Sequence, residues 1–177
     1  MEKSKKIFSK RNISGKILNG TFCTVGNLKK PFKRFFDLIF DSIDLLPKPI
    51  IIQCGHNKIN ESSLYNFKTF YDINEHQNNI SNSQVIVSHA GAGTIFQCLQ
   101  SNKKPIIIPR LGDLNEHINN HQLDLFKKLN TLDLIYTANS RDDFYNLIKK
   151  NIFTQNNDLK TDPLINIIKD QILKLTK

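Results

Sequence analysis

The sequence predicts an α/β fold: a Rossmann-like, open, mostly parallel sheet with helices on both faces. Three observations predict it. The apolar runs "PIIIQCG", "QVIVS" and "KPIIIP" show no polar alternation, as expected of strands covered on both sides. Segments with apolar residues at helical spacing lie between them. The two kinds alternate along the chain, which is the signature of βαβ units.

In order, "KILNGTFCTVGN" reads as a strand that ends in a glycine turn. "KKPFKRFFDLIFDSIDLLP" places Phe32, Phe35, Phe36, Ile39, Phe40, Ile43 and Leu46 on one side of a helix. Lys33, Arg34, Asp37, Asp41 and Asp44 fall on the other side, and Pro47 and Pro49 stop the helix. "PIIIQCG" is a strand and "SLYNFKTFYDI" a weaker one. The Asn- and Ser-rich stretch 57–82 is expected to contain a mobile loop. "QVIVS" is a strand and "AGTIFQCLQSN" a short helix. "KPIIIP" is the next strand, and "NEHINNHQLDLFKKLN" a helix with a core stripe of Ile118, Gln122, Leu125, Phe126 and Leu129. "LDLIYT" and "SRDDFYNLIKK" repeat strand and helix, with Ser140 as N-cap. "DPLINIIKDQILKLTK" is a final amphipathic helix, whose stripe of Leu164, Ile168, Ile172 and Leu175 is expected to belong to the core or to dock a partner.

At 177 residues the chain has the size of one domain, and 39% hydrophobic with 23% charged residues suits a soluble globular protein rather than a disordered one. No apolar run approaches the ~20 residues of a membrane span. Residues 1–16 hold six basic groups, Lys3, Lys5, Lys6, Lys10, Arg11 and Lys16, against Glu2. Five of the nine net positive charges therefore sit there. This stretch lacks the apolar centre of a secretory signal and is expected to be a basic, flexible tail. It solubilises the chain or is drawn to anionic lipid headgroups. Residues 17–177 are expected to form the single domain. A charge concentrated in a tail argues against nucleic acid as partner, because a groove-binding domain carries its basic patch on folded elements. Cys23, Cys54 and Cys98 are far apart with no CxxC pair, which suits reduced thiols in a cytoplasmic protein.

The chemistry concentrates in two stretches. In "VIVSHAGAGT" a strand empties into a glycine turn that opens a helix. At such a turn, at the carboxyl edge of a parallel sheet, Gly91 and Gly93 let the backbone approach a ligand. The helix start offers free N–H groups and the positive end of its dipole, and Thr94 adds a hydroxyl. An anion such as a diphosphate suits this turn, and His89 stands beside it as a further donor. A tight strand-to-helix turn with nothing bound is the plainer reading. Phe96 replaces the third glycine of G-x-G-x-x-G, and neither G-K-[ST] nor G-x-S-x-G is present, so three familiar motifs are excluded.

The second stretch is "NEHINNHQ", after "PIIIPRLGD". Asn115, Glu116, His117, Asn120, His121 and Gln122 are amide, carboxylate and imidazole groups of the kind that bond sugar hydroxyls. A helix cap with its other residues facing water is the plainer reading. His117 and His121 share a helical face, but no third ligand and no H-E-x-x-H accompany them, so no metal is assigned.

Together, "TFCTVGN", "PFKRFFDLI", "PIIIQCG", "VIVSHAGAGT", "KKPIIIPR" and "NEHINNHQLDLFKKL" resemble the C-terminal, nucleotide-sugar-binding half of family-28 glycosyltransferases, from Ile17 to Lys150. The resemblance extends to the small subunits of two-part bacterial exopolysaccharide and capsule glycosyltransferases, and to that of the dolichol-linked N-acetylglucosaminyltransferase. It implies half of a GT-B fold, split across two chains. The resemblance implies that this chain holds a UDP-sugar and uses no cofactor or metal. A membrane-associated partner subunit supplies the other half, recruits this cytoplasmic chain to the inner face of the membrane, and holds a lipid-linked saccharide acceptor.

By position, the resemblance implies that Gly91, Ala92, Gly93 and Thr94 meet the diphosphate and nucleoside. Gln97 stands where relatives have a glutamate on the ribose. Glu116 and His117 meet the sugar, and Gly26 and Asn27 belong to the first glycine turn. It implies an inverting displacement whose base comes from the partner half, His89 being the one candidate in this chain. A non-catalytic stabilising subunit with a degenerate donor site is the alternative, favoured by Gln97 and Asn27. An epimerase-like fragment is another.

Overall fold

The structure, a computed structural model, describes residues 10–11, 17–18, 20–117 and 122–150. A short antiparallel pair, β1 (Lys10–Arg11) and β2 (Ile17–Leu18), precedes the main sheet. Lys10 and Arg11, within the basic stretch 1–16, form β1, and the other residues of that stretch lie outside the described ones.

The main sheet contains β3 (Thr21–Thr24), β4 (Ile50–Gln53), β5 (Asn66–Lys68), β6 (Val85–Ser88), β7 (Ile106–Ile107) and β8 (Tyr136–Thr137). Their spatial order is β5-β4-β3-β6-β7-β8, and every adjacent pair is parallel. The helices are α1 (Lys33–Asp41), α2 (Ile73–Asn82), α3 (Ala92–Gln100), α4 (Gln122–Thr131) and α5 (Arg141–Lys149).

The apolar runs show why both faces are covered. Side chains alternate across a strand, and here Cys23, Ile50, Ile52, Val85, Val87 and Ile106 join one core with Phe35, Phe36 and Ile39 of α1 and Phe144 and Ile148 of α5. The intervening Phe22, Ile86 and Ile107 face the opposite way, toward Ile80 of α2, Ile95, Cys98 and Leu99 of α3, and Phe126 and Leu129 of α4. Each fully buried aromatic or aliphatic side chain contributes about 1.5–3 kcal/mol. The predicted stripe of α1 is buried at Phe32, Phe35, Phe36, Ile39, Ile43 and Leu46. The exposed Lys33–Asp37 pair on its outer side, at 2.7 Å, adds only a few tenths of a kcal/mol.

Three local differences from the sequence reading stand out. The first predicted strand is interrupted at Gly20, giving β2 and β3. The stretch expected to hold a mobile loop contains α2, started by a reciprocal capping box in which Asp72 accepts from the Glu75 N–H at 2.8 Å and Glu75 accepts from the Asp72 N–H at 3.3 Å. The segment after β7 turns through a short 3-10 helix (Gly112–Leu114), and α4 is described from Gln122 to Thr131. Within its expected stripe Phe126 and Leu129 are buried. Ile118, Asn120 and His121, the side chains of Gln122 and Leu125, and the C-terminal helix lie outside the described residues. Ser140 caps α5 as expected, accepting from the Asp143 N–H at 3.1 Å.

Candidate functional site

From β3 the chain moves outward to β4 and β5, then returns to place β6 on the other side of β3 and moves outward again through β7 and β8. The β3/β6 boundary is therefore the topological switch point, where the two connecting loops diverge and leave a crevice at the carboxyl ends of the strands. A cavity of about 610 Å³ opens there. Gly26 and Asn27 line it from the end of β3, Gln53 from β4, and Tyr71, Asp72, Ile73 and His76 from the start of α2. His89, Gly91, Gly93, Thr94, Phe96, Gln97 and Gln100 complete it from β6 and α3.

Gly91 is the N-cap of α3. The first bond of the helical ladder runs from the Ile95 N–H to the Gly91 carbonyl at 3.0 Å, so the amides of Ala92, Gly93 and Thr94 precede that ladder. A Cβ placed on Gly93 would meet no atom within 4 Å. Its missing side chain therefore leaves open space over these donors, whose dipole end favours an anion.

Gly26 and Gly91 are small for a different reason. The His89 ring fills the space a side chain on either would need; at Gly26 a Cβ would stand 2.5 Å from Nε2. Gly26 also has a positive φ of 69°, which disfavours other residues. The His89 N–H donates to the Thr24 carbonyl at 3.3 Å, linking the two glycine turns. The residue is partly exposed at the cavity wall. Burial, then the positive charge of Arg110, lowers its pKa to about 4, so it is neutral at physiological pH.

His76, also in the cavity lining, hydrogen-bonds Gln97 and meets Phe22 edge-on with ring centroids 5.2 Å apart. Burial also lowers the His76 pKa, and the bond to Gln97 opposes that shift. Ile73, 80% exposed, forms part of the rim.

The loop after β7 holds the second predicted cluster. Glu116 is 5% exposed, and both its carboxylate oxygens are engaged. It accepts from Arg34 Nη2 at 2.8 Å and Nε at 3.1 Å, and from the Leu111 N–H at 3.0 Å. It does not line the cavity, contrary to what the sequence suggests for a sugar-contacting carboxylate. His117 is half-buried; its carbonyl accepts from Lys30 Nζ at 3.4 Å, and its ring is close enough to His89 to influence it electrostatically. Lys30 also bonds Asn115 Oδ1 at 2.6 Å. Ala92 packs against the α3–α4 core instead of lining the cavity.

The structure thus brings together Gly26, Asn27, His89, Gly91, Gly93, Thr94 and Gln97, while Ala92, Glu116 and His117 stand outside the cavity lining. Sequence reasoning missed Tyr71, Asp72, Ile73 and His76, because the helix that carries them was not recognised. The Asp72-x-x-Glu75 capping box was the available signal. Among the described residues no group of three or more His, Cys, Asp or Glu is placed to hold a metal ion.

Comparison with known proteins agrees with this geometry. Residues 23–170 match the family model of the glycosyltransferase family 28 C-terminal domain. A UDP-N-acetylglucosamine--N-acetylmuramyl-(pentapeptide) pyrophosphoryl-undecaprenol N-acetylglucosamine transferase of Prochlorococcus marinus (strain MIT 9515) is 26% identical over 154 residues, 81% of this chain and 42% of that protein. The protein of the same name from strain MIT 9301 is 30% identical over 91 residues, 48% of this chain and 25% of that protein. The chain therefore spans less than half the length of the curated relatives it matches.

In fold, it is similar to the solution structure of ALG13, with a TM-score of 0.54, 15% identity, and coverage of 84% of this chain and 95% of that one. It is also similar to the crystal structure of the glycosyltransferase of kitacinnamycin, with a TM-score of 0.58, 14% identity, and coverage of 97% and 42%. The fold is thus that of a Rossmann-like GT-B half. By the extent of its match, the chain belongs to glycosyltransferase family 28.

Proposed function

We propose that this chain is the UDP-sugar-binding subunit of a two-part inverting glycosyltransferase. It adds a hexose to a lipid-linked acceptor in surface polysaccharide synthesis, together with a membrane-associated partner that recruits it to the inner face of the membrane. One observation carries the reading: a cavity at the switch point, floored by the start of α3, with open space over Gly93.

A diphosphate seated there is bonded by the amides of Ala92, Gly93 and Thr94 and by the Thr94 hydroxyl, while Gln97 and His76 meet the nucleoside. In the displacement, the acceptor oxygen bonds to the anomeric carbon as the bond to the UDP oxygen breaks. The electron pair leaves with UDP, and the helix start stabilises the growing charge. An effective base has a pKa near the working pH. His89, at about 4, is a weak one, which supports assigning the base to the partner and leaving His89 as a neutral donor or spacer at the diphosphate. His117, partly exposed in the second loop, is assigned to the sugar, with Glu116 shaping that loop.

The large apolar side chains of Phe70 (41% exposed), Ile73 (80%) and Leu114 (55%) stand exposed in segments at the cavity edge of the sheet, which supports a second body covering it. The decisive experiment is co-expression with the candidate membrane-associated partner, followed by transfer from labelled UDP-sugars. Transfer by the pair and by neither chain alone is expected; unchanged transfer when this chain is omitted contradicts the proposal.

The alternative, a stabilising subunit with a degenerate site, is favoured by the engagement of Glu116 with Arg34. It predicts that a Gly93→Trp pair, with its donor cavity filled, retains full transfer.

A further inference from the structure

Arg110 immediately follows Pro109 at the end of the β7 run and is 2% exposed. Its guanidinium donates to four backbone carbonyls in three separate stretches. Nη2 reaches Val25 O at 3.3 Å. Nη1 reaches Lys30 O at 3.0 Å, Pro31 O at 3.4 Å and Glu116 O at 3.1 Å. The group lies over the Phe32 ring, 4.3 Å from its centroid. Val25 precedes Gly26 of the cavity wall, and Glu116 precedes His117. One buried side chain therefore ties the first glycine turn, the start of α1 and the loop after β7 into a single body.

Its charge is also poorly cancelled. All four acceptors are carbonyls, and the nearby Glu116 carboxylate is already shared with Arg34 and the Leu111 N–H. Two guanidinium groups thus accompany one carboxylate in this cluster, leaving excess positive charge behind the wall of the cavity. Nε of Arg110 and Nη1 of Arg34 have no partner among the described residues. Such a buried cation is costly unless the fold or a ligand gains from it.

We infer that Arg110 is a positioning residue of the donor site: it fixes the Gly26 turn and the His117 loop relative to each other, and its uncancelled charge strengthens the hold on an anionic ligand. This rests on the reading of the cavity as a nucleoside-diphosphate site. Lysine in its place keeps the charge but cannot bridge four carbonyls, whereas methionine keeps bulk and loses both.

The groups facing His89 electrostatically are Arg110, His76 and His117. Arg110 is charged throughout the neutral range, so the His89 titration reports on its charge without any ligand. The experiment compares wild type, Arg110→Lys and Arg110→Met by NMR titration of His89 and by calorimetry with UDP.

Arg110→Met is expected to raise the His89 midpoint above its wild-type value and to weaken UDP binding at least about tenfold, the scale of one lost charge-assisted contact. Arg110→Lys is expected to leave the midpoint unchanged and to weaken UDP at least about threefold. Tight UDP binding by Arg110→Lys overturns the positioning role, and this arm decides even if Arg110→Met does not fold. An unmoved His89 midpoint in folded Arg110→Met overturns the charge role. Failure of wild type to bind UDP removes the donor-site reading and with it the positioning claim, while the ligand-free titration still decides whether the Arg110 charge reaches the cavity wall.

Discussion

The imidazole of His89 occupies the space that a side chain on Gly91 would need, while the equivalent space at Gly93 is empty. Two glycines separated by a single residue thus have different causes. Gly91→Ala forces the imidazole or the turn to move and is expected to cost about 1–3 kcal/mol of stability, measured by urea denaturation. Gly93→Ala adds a methyl group to the first turn of α3 and is expected to leave stability unchanged or raise it by up to about 1 kcal/mol. It still weakens UDP at least about tenfold by standing over the amides. Equal loss of stability in both variants contradicts this division.

The Arg34–Glu116 pair joins α1 to the loop after β7 across 82 residues of sequence. The Glu116 side chain is 7% exposed and that of Arg34 21%, so solvent screens the pair only in part. Glu116→Ala leaves the Leu111 N–H without its acceptor and the Arg34 guanidinium with only the Pro109 carbonyl, and is expected to cost about 2–4 kcal/mol. A double-mutant cycle with Arg34→Ala is expected to return a coupling of about 1–3 kcal/mol. Loss of sugar transfer by Glu116→Ala with no loss of stability returns Glu116 to the sugar-contacting role suggested by the sequence.

Acid sensitivity follows from His89. An unfolded histidine titrates near 6.5. Folding lowers the His89 pKa to about 4, so the native state stays neutral while the unfolded chain takes up a proton. The resulting stability is fully present above about pH 6.5 and is lost as pH falls toward 4, by roughly 3 kcal/mol in all. His76, also lowered by burial, adds to the loss in the same direction. Urea midpoints at pH 7 and 4.5 are expected to differ in wild type and to differ less in His89→Asn. Parallel profiles refute the buried neutral histidine.

Gln97 bonds His76 and lines the cavity. Gln97→Glu supplies a carboxylate for a sugar diol and is expected to tighten UDP about three- to tenfold while leaving 2′-deoxy-UDP little changed. It also raises the His76 midpoint, because an adjacent negative charge favours imidazolium. Equal effects on the two nucleotides count against ribose recognition at this position.

The strands and their order of appearance were legible because both-sided burial writes itself as unbroken apolar runs, as in Ile50–Ile52 and Ile106–Ile108. The glycine turn that opens α3 was legible because glycines next to an apolar strand have few explanations. Two things were hidden. The helix α2 buries only Ile80. An Asn-rich segment with one buried position shows no stripe, so its start, and with it Tyr71, Asp72, Ile73 and His76, had to be read from the cap alone. The second was partnership at long range. Sequence shows Glu116 as a polar residue beside His117, but its assignment depends on Arg34, which reaches it only once α1 and the β7 loop pack together. Arg110, next to a proline after an apolar strand, likewise carried no local sign of its four carbonyl contacts.

The central claim is that the cavity between β3 and β6 holds a nucleoside diphosphate at the start of α3. Titration of the 15N-labelled chain with UDP, followed amide by amide, tests it most directly. Saturable binding is predicted, with the largest shifts at Gly26 and Gly91–Thr94, and weaker binding by UMP and by uridine. Absence of shifts at Gly91–Thr94 at saturating UDP, or equal binding of uridine and UDP, contradicts it.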